Sequence, residues 1–400
     1  MVKIKIIFVW KFDQLSTNMK KVVVASDSFK GCLSSSQVAK AVEAGVHDVF
    51  PDAEVVILPV ADGGEGSLAA IRRVYPDSEE VTVNVYGPLY WKVDAKYLIL
   101  PDGKTAFIEI AQACGLELLE KDKRDPLKTS TYGFGQMIAD AISRGCTKVI
   151  AALGGTSTND AGTGMLSALG FRITNADGTR NSCYGAELIL LDDIDDSEVP
   201  DEVKATEFVS ICDVNSPMCG QDGAAYVYAP QKGACICAVR ALDDGLCNFA
   251  NVAFRKTGVD LKYMPGAGAA GAVAGAMHAF LGAKMASGSD VILDAVGFEN
   301  VIQDADLVIT GEGKADHQTL TGKLPYKVAQ RSADKGVPVL AICGTAEIDQ
   351  LPGARAIISV TPEGMSMAEA KKPKVAKENI RAAVSDYLAK LALDVFGPSC

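Results

Sequence analysis

Six apolar runs of strand length recur along the chain, each rich in β-branched residues and closed by a breaker. They are VVVAS at 22–26, VVILPV at 55–60, KVIAAL at 148–153, DLVIT at 306–310, VPVLAI at 337–342 and AIISVT at 356–361. None alternates apolar with polar residues, so each reads as a strand buried on both faces, as in a parallel sheet covered by helices. Helical patterns lie between them. Ser34 and Gln37 have the spacing of a capping box, and Val38, Val42, Val46 and Val49 fall on one helical face. After Pro373 the same spacing returns with Ile380, Val384, Leu388, Leu391 and Val395. Strand and helix alternation at both ends predicts a doubly wound, Rossmann-like α/β domain assembled from two distant segments.

The middle reads differently. VTVNVY (81–86), VDAKYLIL (93–100) and TAFIEIA (105–111) alternate more, and Pro-Asp-Gly at 101–103 supplies a hairpin turn between the last two. Hairpins within a βαβ framework predict an inserted mixed α/β domain over 83–289. The first domain is then 19–82 with 290–400, and a cleft separates the two. Residues 1–18 carry Lys3, Lys5 and Lys11 against Asp13 and precede KKVVVASD, so they read as a leader, non-native or disordered, outside the fold.

Thirty-nine Lys and Arg against 50 Asp and Glu give a net charge of −11, which argues against nucleic-acid or anionic-membrane partners. Eleven cysteines include no C-x-x-C, and Cys235 and Cys237 have no second pair beside them. That pattern suits free thiols in a reducing compartment better than a disulfide framework or a zinc site. The early apolar run at 6–10 is too short for a signal-peptide core or a membrane span. A cytoplasmic protein is expected.

The chemistry lies in the turns that close the strands. VVVA runs into SDSFKG, VVILPV into ADGGEGS, KVIAAL into GGTSTNDAGTG, FVSI into CDVNSP, and DLVI into TGEGKADHQTLTGK. Such turns gather outside the carboxyl ends of parallel strands, where their amides and the next helix N-terminus favour an anion. Each also carries a carboxylate, which would repel a phosphate unless a cation stands between. Mg²⁺ resolves the conflict, because it takes one or two carboxylates and fills its other positions with water and phosphate oxygens. The pattern points to phosphoryl transfer. The familiar phosphate signatures are missing. Leu98 stands where a Walker loop ending in Gly103-Lys104-Thr105 needs its first glycine. A literal G-x-G-x-x-G at Gly266, Gly268 and Gly271 comes after Pro265 rather than after a buried strand. It reads as a dinucleotide turn, a helix packed through small residues, or a helix N-terminus facing an anion.

From Met19 onward the sequence resembles the bacterial glycerate 2-kinase family, the glyoxylate and aldarate catabolic type. The resemblance rests on SDSFKGCLSS, PVADGGEGS, STYGFGQMIADAI, ALGGTSTNDAGTGMLSALGFR, CDVNSPMCGQDGAAYVYAPQKGA, PGAGAAGAV and TGEGKADHQTLTGKLP, in that order. It implies ATP-dependent, Mg²⁺-dependent phosphorylation of D-glycerate to 2-phosphoglycerate, on a discontinuous flavodoxin-like domain with a large insertion. Four positions depart from the family pattern: Cys32 for serine, Ser67 for threonine, Ala161 for glycine and His317 for a small or polar residue.

Each turn supplies candidate residues. Lys30, between a strand and a capped helix, suits the transferring phosphoryl group or the glycerate carboxylate, while Asp27 is a turn acid or a ligand. Ser28 belongs to the same turn. Asp62 is the first candidate for a magnesium ligand or general base, with Gly63 and Gly64 letting the backbone approach and Glu65 capping the next helix. Asn159 and Asp160 end the turn that holds Gly154 and Thr156; one is expected to cap the next helix and the other to meet the ligand. Asp213, after a strand and before Pro217, suits an acid that orients a hydroxyl nucleophile. Gln231 and Lys232 form a donor pair for a carboxylate or phosphate. Gly311, Gly313, Asp316, Thr319 and Lys323 read as a second phosphate or substrate loop, Asp316 as a further magnesium ligand, and Lys314 as a surface charge. His47 and His278 read as helix-surface and packing residues. Two rivals stand beside the kinase: an NAD-dependent oxidoreductase using the GAGAAG turn, and a non-catalytic sugar-acid sensor of the same fold.

Overall fold

The structure, a computed structural model, describes residues 19–29, 31–60, 67–212, 214–317 and 319–395. These contain β1 (Lys21–Ser26), β2 (Glu54–Ile57), β3 (Glu79–Tyr86), β4 (Lys92–Ile99), β5 (Thr105–Glu109), β6 (Lys148–Ala152) and β7 (Arg172–Asn175). Then come β8 (Leu191–Asp195), β9 (Glu207–Ile211), β10 (Lys284–Ala286), β11 (Leu307–Ala315), β12 (Val339–Ala346) and β13 (Ala356–Ser359). All six apolar runs contain strands. The described residues divide into two compact units, with breaks between Asp62 and Gly63 and between Gly288 and Ser289.

The first unit holds a parallel sheet ordered β13-β12-β11-β1-β2. Counted within the unit this is the flavodoxin-like 2-1-3-4-5 order. Val22, Val23 and Val24 are fully buried, which is why the run needs no alternation. The helix Ser35–His47 begins with the expected capping box at Ser34 and Gln37 and buries Val38, Val42 and Val46. It packs against the helix Pro373–Val395, whose Ile380, Val384 and Leu388 join the same core.

The second unit holds a six-stranded sheet ordered β10-β9-β6-β5-β4-β3, parallel through its first four strands and closed by antiparallel β4 and β3. The expected turn at 101–103 joins β4 to β5, with Gly103 at φ 66°. A boundary after residue 82 would cut β3, which pairs with β4 along all of Glu79–Tyr86. The division falls earlier, and the helix Ser67–Val74 goes with the second unit. KVIAAL also lies here, because a parallel strand buried on both faces looks alike in either sheet.

The GAGAAG segment is no dinucleotide turn, since the described residues leading into Gly266 form no strand. Ala270, Gly271 and Ala272 instead turn left-handed, at φ 56°, 66° and 73°. A Cβ on Gly268 would collide with the carbonyl of Pro217, and one on Gly271 with that of Thr158. The small residues therefore serve close packing. Among the described residues, no helix is long and apolar enough to cross a membrane.

Candidate active site

In the first unit a cavity of ≈ 260 Å³ opens at the carboxyl ends of the strands, beside the β1–β11 pair where the strand order reverses. Ligands of open α/β sheets bind at this position. Ser28 lines it after β1, Glu312 and Gly313 at the end of β11, and Gly344 and Thr345 on β12. Phe29, Pro325, Val360 and Met367 add apolar wall. A Cβ on Gly311 would lie 2.6 Å from the Ile342 carbonyl oxygen, so glycine lets β11 and β12 keep their spacing there.

The loop after β11 is tied back to its own strand. The Thr319 hydroxyl donates to Glu312 Oε1 at 2.6 Å and accepts from the Asp316 backbone N–H at 3.0 Å. Lys323 Nζ stands 3.8 Å from Glu312 Oε2 and 3.9 Å from Asp316 Oδ1, and Lys314 Nζ 2.8 Å from Glu347 and 3.7 Å from Asp316. Burial pushes the nearby Cys343 thiol up to about 12, with the Glu312 charge adding to it. Asp27 is buried and receives the Ser28 N–H at 2.6 Å, so it does hold its turn. Alternating carboxylates and ammonium groups on one wall suit a metal–phosphate ligand, which presents both signs of charge. Among the described residues no three His, Cys, Asp or Glu side chains form a metal cage. Asp316 and Glu312 offer hard oxygens in the small number that Mg²⁺ takes when phosphate oxygens supply the rest.

The second unit carries a buried polar turn after β6. Thr156 Oγ1 shares a hydrogen bond with Thr158 Oγ1 at 2.8 Å, and the Ser157 hydroxyl donates to the Cys114 carbonyl at 2.9 Å. The Asp160 carboxylate accepts from the Thr131 backbone N–H at 2.7 Å, the Thr131 hydroxyl at 2.8 Å, and the backbone N–H groups of Gly162 and Gly164. Burial raises its pKa, and those hydrogen bonds oppose the rise. Lys232 Nζ donates to the Thr158 carbonyl at 2.6 Å. Burial takes this ammonium down to about 7, against the opposing pull of the Asp160 charge.

Ser28, Gly313, Asp316 and Lys323 thus share the first unit's cavity, with Thr319 bracing it and Gly311 at its base. Of the Asn159–Asp160 pair, Asp160 accepts from the N–H groups of Gly162 and Gly164 at the start of the helix Thr163–Ala168, whose N-cap is Gly162 and neither member of the pair. The Asp160 carboxylate faces Thr131 and the loop's own amides. Gln231 and Lys232 are split, Gln231 exposed and Lys232 buried, by the 3₁₀ turn Pro230–Lys232. Gly154 is exposed at the mouth of the β6 turn, and Thr156 is buried within it. Lys30, Asp62, Gly63, Gly64, Glu65 and Asp213 lie outside the described residues.

Two acids carry no motif of their own. Glu312 is hidden between the two glycines that draw attention, although a carboxylate closing a buried strand is itself a signal. Glu109, buried at the end of β5, accepts from the Leu68 N–H at 2.7 Å and so caps the helix that comes after ADGGEG. No local pattern announces a cap from 41 residues away.

The model of the glycerate kinase family matches residues 22–392. A glycerate kinase of Halalkalibacterium halodurans is 42% identical over 356 residues, 88% of this chain and 93% of its own. A glycerate 2-kinase of Escherichia coli K12 is 41% identical over 377 residues, 93% of this chain and 98% of its own. A crystal structure described as a glycerate kinase 2, from Salmonella typhimurium LT2, aligns with a TM-score of 0.80 at 38% identity. It covers 94% of this chain and 99% of that one.

Proposed function

The chain belongs to the glycerate kinase family, and on that premise we propose that it transfers the γ-phosphoryl group of ATP to the 2-hydroxyl of D-glycerate with Mg²⁺. The observation that carries the reading is the cavity where β1 and β11 end, with Glu312, Asp316, Lys314 and Lys323 on its walls. A cavity of ≈ 260 Å³ is smaller than the roughly 300–1,000 Å³ that enclose a drug-sized ligand. It suits one end of a nucleotide, with Phe29 and Met367 against a ring and Lys323 beside phosphoryl oxygens. The 2-hydroxyl assignment is supported by the description of the Escherichia coli relative.

Asp316 and Glu312, with Asp62 from the ADGGEG turn, would hold Mg²⁺. When bound, the ion neutralises charge on the phosphoryl oxygens. The substrate hydroxyl would attack the γ-phosphorus as the bond to the β–γ bridging oxygen breaks and ADP leaves, and its proton would pass to a carboxylate, for which Asp62 and Asp213 are the candidates. Lys30 and Lys323 offset charge on the phosphoryl group, and lysine serves there as a compact point charge. Such a reaction needs positioning and electrostatic stabilisation more than covalent chemistry.

Purified protein with Mg·ATP and D-glycerate, coupled directly to enolase, tests the reading. Enolase accepts only the 2-phosphate, so a signal without added mutase is expected. A signal only after mutase is added would move the reaction to the 3-hydroxyl, and no glycerate-dependent ADP release would refute the kinase.

A further inference from the structure

Two buried polar side chains of the second unit are short of partners, and both meet at the turn after β6. Asn159 is fully buried, yet neither Nδ2 nor Oδ1 has a hydrogen bond. Folded proteins rarely leave such a group without a use. Lys232 is 2% exposed, and its ammonium donates once, to the carbonyl of Thr158, the residue before Asn159. An ammonium has three N–H bonds, so two remain. Asp160 does not take them, because its carboxylate is held by Thr131, Gly162 and Gly164. The turn therefore presents a buried cation with spare donors beside an amide that offers two donors and an acceptor.

We propose that Asn159 and Lys232 recognise the α-hydroxy-carboxylate end of the organic acid substrate. The assignment rests on the glycerate kinase reading and adds to it which side chains read which atoms. A carboxylate accepts from the ammonium and from the amide N–H, and the hydroxyl on the adjacent carbon donates to Asn159 Oδ1 in the resting complex, its hydrogen turning to the base carboxylate as the oxygen attacks. Ionised phosphoryl oxygens of a nucleotide are acceptors only and would leave Oδ1 unpaired, so the organic acid is the better match. With both groups closed to solvent, binding is coupled to a local opening of the turn.

Steady-state kinetics with D-glycerate, D-lactate, 3-hydroxypropanoate and glycerol test the assignment. D-lactate keeps the α-hydroxy-carboxylate and should compete with glycerate. 3-Hydroxypropanoate, without the α-hydroxyl, and glycerol, without the carboxylate, should each compete at least ~10-fold more weakly. Asn159→Leu, which keeps the branching but removes the orphaned amide, should raise the glycerate KM at least ~10-fold, with the ATP KM within about 2-fold and no fall in urea midpoint. Lys232→Met should show the same split. If Asn159→Leu fails to fold, Asn159→Asp reads the same quantity by setting a carboxylate against the substrate's own. A glycerate KM unchanged in the folded variants, or a change confined to the ATP KM, overturns the assignment and leaves the kinase intact. A wild-type protein that releases no ADP with glycerate removes the kinase reading itself.

Discussion

Thr319 holds Glu312 and Asp316 at once, giving its hydroxyl hydrogen to the Glu312 carboxylate at 2.6 Å and accepting the Asp316 N–H at 3.0 Å. One side chain thereby fixes the loop that carries Lys323 to the strand that lines the cavity. Thr319→Val keeps the shape and deletes both bonds. It should lower stability by about 1–3 kcal/mol, the usual cost of stranding buried polar groups, and raise the ATP KM. Thr319→Ser should restore both. Urea unfolding and ATP titration measure them, and a valine variant equal to wild type would make the contact incidental.

Lys232 makes stability depend on pH. Its pKa of about 7 in the folded protein lies below the ~10.4 of an unfolded lysine, so between those values the unfolded chain holds the extra proton. The penalty for burying it is full below about pH 7 and fades as the pH climbs toward ~10.4. Lys232→Met should therefore unfold at higher urea than wild type at pH 7, with the gap closing toward pH 10. A gap that is constant across that range would show a change in packing rather than in charge.

Ala161 and Ala270 are both left-handed, at φ 48° and 56°, a conformation that costs an L-residue roughly 1–2 kcal/mol. Ala270 is half-buried, so Ala270→Gly should gain on the order of 0.5–1 kcal/mol after glycine's greater unfolded entropy. Ala161 is fully buried in the core, and losing its methyl costs about 0.8 kcal/mol. Ala161→Gly should therefore be close to neutral. Equal gains at both sites in chemical denaturation would contradict the role given to burial.

Lys30→Ala and Asp62→Asn should each lower kcat by ~100-fold or more, as for groups that act on charge developing in the transition state. Circular dichroism and the urea midpoint should match wild type. A rise in KM with kcat preserved would make them binding residues.

How much of the fold and the site is legible in the sequence differs from element to element. VVVAS and DLVIT announce buried parallel strands, because a strand with two apolar faces has one home. Their adjacency cannot be read from either run alone; it is the register of Val22 opposite Leu307 that sets it. Asp316, Thr319 and Lys323 are legible as a loop because glycine and threonine cluster where a strand ends. Asp160 reads two ways in sequence, since a carboxylate in such a loop is as well suited to its own amides as to a ligand. Gln231 and Lys232 look like a pair in sequence, but a 3₁₀ turn sends neighbours in different directions. Asn159 is the reverse case: its want of a partner is visible only once the surrounding atoms are in place.

The pairing of β1 with β11 also sets the order in which the molecule can be made. Ser26 and Gly311, which pair at the ends of that register, are 285 residues apart, roughly 15–60 s of synthesis at ~5–20 residues per second. Through that interval one edge of β1 has no strand beside it, while β3 to β10 all emerge within 63–288 and can close their own core. The inserted unit has all its strands before Leu307 is made, whereas the sheet that precedes it in the chain still lacks its middle strand. A nascent chain stalled before Leu307 therefore holds every strand of the second unit but leaves β1 with an unpaired, aggregation-prone edge.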